Sequence, residues 1–148
     1  MRSWNIRKNF FIMNNKKVWV NGCFDIMHMG HIRLLQYARG LGSHLRVGID
    51  GDDRVRELKG RGRPFNNQES RSSFLMALSC VDEVVIFNSD SGLIDEVIEY
   101  DPMVIVIGDE YKDTGHPASS HVSSVSYFNK IPGFSTSSIL EGFKANEE

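Results

Sequence analysis

The chain has 148 residues, with 17 lysines and arginines against 19 aspartates and glutamates and a formal net charge of -2, which fits one domain with a single core. That balance excludes a general nucleic-acid binder, which needs a basic surface, so any anionic ligand must be held by a local cluster. Two cysteines, Cys23 and Cys80, give no disulfide framework and suit a reducing cytoplasm, and no apolar run is long enough to span a bilayer.

Residues 1–16 read as an N-terminal extension, in which Arg2, Arg7, Lys8 and Lys16 flank the apolar patch Phe10-Phe11-Ile12-Met13. The patch is too short for a secretory segment and lacks a small-residue cleavage site. The folded domain is expected over residues 17–148. An apolar run predicts a first strand over residues 18–21. Leu34, Leu35, Ala38 and Leu41 form one stripe and predict a helix over residues 31–41, with Gly42 at its C-terminal cap. A second strand is expected over residues 45–49. Asp50, Asp52 and Asp53 then open a short helix that carries Val55 and Leu58 and closes at Gly60.

Lys59-Gly60-Arg61-Gly62-Arg63-Pro64 is a basic, glycine-rich loop. Asn66 and Glu69 have capping-box spacing, which predicts a helix to about residue 79 with Phe74, Leu75 and Leu78 apolar. A third strand follows over residues 84–87. A helix capped by Ser91 carries Leu93, Ile94, Val97 and Ile98 and ends at Asp101-Pro102. A fourth strand is expected over 103–107, and Gly108-Asp109 turns out of it. Residues 112–124 are polar and read as loop with one short helix. A fifth strand is expected over 125–131, and Ser135-Thr136 start a terminal helix with Ile139, Leu140 and Phe143 on one side. Short apolar strands alternating with helices predict an α/β fold, a doubly wound parallel five-stranded sheet covered on both faces. Ligands of such sheets lie beyond the carboxyl ends of the strands.

The chemistry concentrates in Asn21-Gly22-Cys23-Phe24-Asp25-Ile26-Met27-His28-Met29-Gly30-His31, where a strand hands over to a helix. Free N–H groups at a helix start and the helix dipole favour phosphate there. Gly22 and Gly30 admit a close backbone approach, and His28 and His31 add imidazole donors. Zinc is disfavoured, because no second cysteine or histidine cluster completes a tetrahedral set. Cys23 reads as a small buried filler, since no base is placed to make it a nucleophile. Asp25 is a weak candidate for a magnesium ligand and equally a turn cap.

In the predicted sheet the loops with His28 and His31, Asp50 and Asp52, Gly108 and Asp109, and Ser135 and Thr136 share one edge. Arg71 shares the stripe of Phe74, Leu75 and Leu78, so its guanidinium needs an anionic partner or an exit to water. Lys59, Arg61 and Arg63 are either a solvated basic loop or groups that close over phosphates. Ser135 and Thr136 suit both an N-cap and a phosphate contact.

Taken together these motifs resemble the cytidylyltransferase-like nucleotidyltransferases from Lys17 to about Phe143. Within that group the chain looks most like the heptose 1-phosphate adenylyltransferases, and next most like glycerol-3-phosphate cytidylyltransferase. The resemblance rests on the Asn21-to-Ile26 lead-in, Leu58-Lys59-Gly60 with Arg63-Pro64, Asn66 to Arg71, Gly108-Asp109-Glu110-Tyr111, and Gly133-Phe134-Ser135-Thr136-Ser137-Ser138-Ile139. Where cytidylyltransferases carry Arg-Thr-Glu-Gly this chain has Lys130-Ile131-Pro132-Gly133, which favours ATP over CTP.

The resemblance implies a Rossmann-like nucleotidyltransferase fold. The implied reaction moves a nucleoside monophosphate from a triphosphate to a sugar or polyol phosphate and releases pyrophosphate. It implies catalytic roles for His28, His31, Lys59 and Arg71. Nucleotide contacts would come from Gly22, Cys23, Phe24, Gly30, Gly108, Asp109, Ser135 and Thr136, and substrate contacts from Asp52 and Arg63. Mg2+ is expected to arrive with the triphosphate, and a cytoplasmic homodimer is expected. A CTP-dependent alcohol-phosphate enzyme and a non-catalytic nucleotide-binding module are the alternatives.

Overall fold

A computed structural model describes residues 16–129 and 136–145. Five strands, β1 (Lys17–Gly22), β2 (His44–Asp50), β3 (Glu83–Phe87), β4 (Val104–Gly108) and β5 (Val125–Phe128), form one parallel sheet in the order β3-β2-β1-β4-β5. The α-helices are α1 (Met29–Gly40), α2 (Asp52–Lys59), α3 (Gln68–Met76), α4 (Asp90–Tyr100) and α5 (Thr136–Ala145). Two 3-10 turns, Asp109–Tyr111 and Ser119–His121, lie between β4 and β5. The expected doubly wound sheet is present, and the loops after β1, β2 and β4 leave it at one edge.

Both faces of the sheet are covered, which explains the unbroken apolar runs. Val18 and Val20 of β1 pack with Leu35, Ala38, Leu45, Val47, Leu75, Val104 and Val106 on the face of α1 and α3. Trp19, between them in sequence, packs on the other face with Phe87, Leu93, Val97, Tyr100, Ile105 and Ile107. The period-two alternation divides each strand between two cores. Gly48 allows Trp19 to lie across its neighbouring strand, since a Cβ there would stand 2.5 Å from Trp19 Cζ2.

Several boundaries shift for local reasons. α1 begins at Met29 instead of His31, because His28 is its N-cap, and Leu41 instead of Gly42 is its C-cap. α3 is capped by Asn67, whose side chain accepts from Ser70 N–H, and ends at Met76. α4 is capped by Ser89, not Ser91. β4 ends on Gly108 and β5 stops at Phe128, short of residue 131. Leu58, Phe74 and Ile98 are exposed, while their stripe mates Val55, Leu75, Leu93 and Val97 are buried.

Candidate active site

The loop after β1 is shaped by one unusual residue. Phe24 has φ +50°, a left-handed conformation that costs a non-glycine residue ~1 kcal/mol. That turn buries the Phe24 ring and sets it 5.2 Å from the His31 ring centroid. A Cβ on Gly22 would stand 3.1 Å from Phe24 Cε2, so Gly22 lets the ring fold back over the strand end.

His28 and His31 cap the same helix reciprocally. His28 Nδ1 accepts the Gly30 N–H at 3.0 Å, and His31 Nδ1 accepts the His28 N–H at 3.2 Å. A nitrogen that accepts carries no proton, so each neutral ring holds its proton on Nε2. The rings lie 3.8 Å apart, centroid to centroid, at 31°. Burial, the neighbouring His28 and the Lys59 charge push the His31 pKa down to about 4. Burial also lowers that of His28. In the protein without ligand the pair is therefore neutral at pH 7, two N–H donors at a helix N-terminus.

Asp25 has a different occupation from a metal ligand. It is 1% exposed. One carboxylate oxygen accepts from Arg63 Nε and Phe65 N, each at 2.9 Å, and the other from Asn66 N at 2.8 Å. Burial works to raise its pKa, but the Asn66 and Phe65 N–H groups and Arg63 outweigh it and hold the carboxyl below its ordinary value. Asn66 Nδ2 donates back to the Asp25 carbonyl at 2.8 Å. The basic loop is thereby fastened to the loop after β1, and Arg63 reaches Asp25 instead of standing open.

Arg71 is fully buried, and its anionic partner is Asp52, whose Oδ1 accepts from Nη2 at 2.7 Å. Nη1 donates to the carbonyls of Cys23 at 2.9 Å and Asp50 at 2.7 Å, and Nε to that of Asn66 at 2.9 Å. Four of its five N–H groups thus join the ends of β1 and β2 to the start of α3. Both Arg71 and Asp52, expected to contact ligands, are engaged with each other. Asn66, which reads as a helix cap in the sequence, is instead the link between Asp25 and Arg71, and only its long-range partners reveal this.

Lys59 ends α2, is exposed, and lies near enough for its charge to act on both Cys23 and His31. Burial raises the Cys23 thiol pKa, with Lys59 and Arg71 opposing, so Cys23 stays a thiol. Gly108 and Asp109 form the turn out of β4 at the same edge. Thr136 opens α5, but its side chain and the whole of Ser135 lie outside the described residues, as do residues 1–15. No group of three or more histidine, cysteine or acidic residues suited to a metal occurs among the described residues. Asp25, saturated by Arg63, Phe65 and Asn66, is not placed as a metal ligand.

The sequence model of the cytidylyltransferase-like family matches residues 19–140. The chain is 44% identical over 133 residues to "Bifunctional protein HldE" of Campylobacter jejuni (strain RM1221), covering 88% of this chain and 28% of the relative. It is 39% identical over 137 residues to the protein of that name from Helicobacter hepaticus, covering 92% and 28%. The chain therefore spans little more than a quarter of the length of these relatives. Among solved structures, the lipopolysaccharide core biosynthesis protein of Thermoplasma volcanium superposes with a TM-score of 0.66 at 26% identity, covering 78% of this chain and 98% of that one. Pantothenate synthetase from Thermus thermophilus, at 10% identity and a TM-score of 0.56 over 80% of this chain and 57% of that one, shares the fold.

Proposed function

The chain belongs to the cytidylyltransferase-like family and is a nucleotidyltransferase, and from that premise we propose that it transfers AMP from ATP to a sugar phosphate such as heptose 1-phosphate, releasing pyrophosphate. The observation that carries this reading is the reciprocal capping of His28 and His31. It fixes two Nε2–H donors at a helix N-terminus with the Lys59 ammonium nearby.

An acceptor phosphate has a second pKa of about 6 and is largely dianionic at neutral pH, so it is already a nucleophile and needs no protein base. It attacks the α-phosphorus, the bond to the α,β-bridging oxygen breaks, and pyrophosphate leaves with the electron pair. The protein must align the two phosphates and stabilise the charge that develops on the leaving group. In this reading His28, His31 and Lys59 supply that stabilisation. Gly22, Cys23, Phe24 and Gly30 line the nucleotide, Gly108 and Asp109 close its far side, and Ser135 and Thr136 hold phosphate at α5. Arg71 and Asp52 act at one remove, holding the loops that carry these groups, and Arg63 does so through Asp25. Mg2+ carried by the triphosphate would supply charge neutralisation on the phosphates.

The test is pyrophosphate release with each of ATP, CTP, GTP and UTP, in Mg2+, across sugar, polyol and amino-alcohol phosphates. Release with ATP and a sugar 1-phosphate supports the reading. Release only with CTP and an alcohol phosphate replaces it with the cytidylyltransferase, and no release with any pair replaces it with a nucleotide-binding module. We infer a homodimer, to be checked by sedimentation equilibrium. A reducing, cytoplasmic setting suits the two free thiols.

A further inference from the structure

Asn21 opens the signature loop, yet the reaction above gives it nothing to do. The core holds its amide. Trp19 is fully buried, and its indole Nε1 donates to Asn21 Oδ1 at 3.0 Å. The indole has little room to move. It lies over Gly48, where a Cβ would stand 2.5 Å from Cζ2, and its ring centroid is 6.2 Å from that of Tyr100. An indole N–H only donates, so the atom it meets must be the carbonyl oxygen of the amide. The other end of the amide, Nδ2 with its two N–H groups, is turned away from the core. Among the described residues nothing accepts from it.

The place of that amine narrows what it meets. β1 stands where the strand order reverses, with β2 on one side and β4 on the other. Its ladder with β4 ends at Val20 and Val106, while Asn21 and Gly22 stay paired with Gly48 and Ile49 of β2. Asn21 therefore borders the crevice in which ligands of such sheets bind. It shares the face of Trp19, which packs under α4, whereas Val20 packs under α1. His28 and His31 stand at the start of α1, across β1 from Asn21. In an in-line displacement the nucleophile and the leaving group lie on opposite sides of the phosphorus. With the departing pyrophosphate held by His28, His31 and Lys59, the acceptor approaches from the side of Asn21. N–H donors on an amide whose oxygen is already engaged suit an atom that only accepts, and the oxygens of a dianionic phosphate are such atoms.

We propose that Asn21 binds the phosphate of the acceptor through Nδ2, and that Trp19 is the positioning residue that aims it. This rests on the nucleotidyl transfer read above and adds an orientation. The triphosphate lies on the α1 side of β1 and the acceptor phosphate on the α4 side. The assignment needs a phosphorylated acceptor but not a particular sugar.

The experiment measures the KM of ATP and of the best phosphorylated acceptor for wild type, Asn21→Asp, Trp19→Phe, and Trp19→Phe combined with Asn21→Ala. Asn21→Asp keeps an oxygen for the Trp19 N–H and puts a carboxylate where the amine was. Its acceptor KM should rise at least about tenfold, the loss of a hydrogen bond to a charged group, with the ATP KM unchanged. Trp19→Phe keeps the amine but releases it, and should raise the acceptor KM by a smaller factor. The double variant removes both partners and so strands no buried donor, which keeps the test valid should Asn21→Asp fail to fold. Its acceptor KM should exceed that of Trp19→Phe several-fold. An acceptor KM that Asn21→Asp and the double variant leave unchanged makes the amide a partner for the indole alone and overturns the proposal. An equal rise in the ATP KM overturns it too, by giving the amine to the triphosphate. Both results leave the reaction standing. A wild-type protein that releases pyrophosphate with no phosphorylated acceptor overturns the reaction, and this assignment with it.

Discussion

His28 and His31 form a capping box in which both side chains are imidazoles, each using Nδ1 to accept a backbone N–H. A residue with a ligand-facing role thus also closes the helix end. Alanine at either position removes both functions, and the lost cap alone costs ~1 kcal/mol. Asparagine at position 28 separates them, since it is a strong N-cap with no distant N–H. We expect His28→Asn to keep its stability to urea within about 0.5 kcal/mol of wild type while turnover falls at least about a hundredfold. Full turnover in His28→Asn would remove His28 from the reaction.

The His31 ring makes stability depend on pH. Its pKa in the fold is about 4, below the ordinary histidine value of 6.5. Between those values the unfolded chain binds the proton that the native ring refuses, so stability is full above pH 6.5 and declines toward pH 4, by at most ~1.4 kcal/mol per unit. Denaturation from about pH 4.5 to about pH 7.5 should show this slope with a further share from His28 and His116, whose pKa values burial also lowers, and His31→Gln should reduce it. Asp25, with its pKa lowered in the fold, adds a separate loss only below its ordinary 3.8. An equal slope in His31→Gln would assign the acid sensitivity elsewhere.

Arg71 is fully buried and its partner Asp52 is part-buried, so removing the carboxylate leaves a buried guanidinium and removing the guanidinium leaves its carbonyl partners short of a donor. Arg71→Met deletes four hydrogen bonds and leaves the Cys23, Asp50 and Asn66 carbonyls without that donor. Such losses typically cost about 3–5 kcal/mol, a large part of a small domain's stability. Arg71→Lys should recover little, because an ammonium cannot span the fork. Urea denaturation measures this. A stable Arg71→Lys variant with lost ATP affinity alone would instead make Arg71 a direct phosphate ligand.

The strands and the site's edge are legible in the sequence because their signals are local. Apolar runs such as Val104-Ile105-Val106-Ile107 state their own burial, and Gly108 marks the turn. The capping residues move by one or two positions where capping types adjoin, as in Asn66-Asn67 and Ser89-Asp90-Ser91. Asn66 passes for a cap because its partners, Asp25 and Arg71, are distant in sequence. The stripe of Arg71 shows that it needs an anion, but it cannot say that the anion is Asp52 and not a ligand. Spacing places Phe74 and Leu58 inward, whereas α3 and α2 bury only Leu75 and Val55 of those pairs.

Asp25 separates two readings of the signature loop that predict opposite metal behaviour. In the structure its carboxylate is engaged by Arg63, Phe65 and Asn66, so Asp25→Asn replaces an acceptor oxygen with an amide that faces backbone donors. The loop after Lys59 should loosen, with stability falling by about 1–3 kcal/mol and the ATP KM rising. The Mg2+ concentration giving half-maximal rate, measured at saturating ATP, should stay the same, because no metal ligand is lost. Rescue by Asp25→Glu should be poor, since the longer side chain cannot keep both backbone N–H contacts. A several-fold rise in the Mg2+ requirement of Asp25→Asn, with ATP affinity unchanged, would return Asp25 to the metal and contradict the fastening role argued for it.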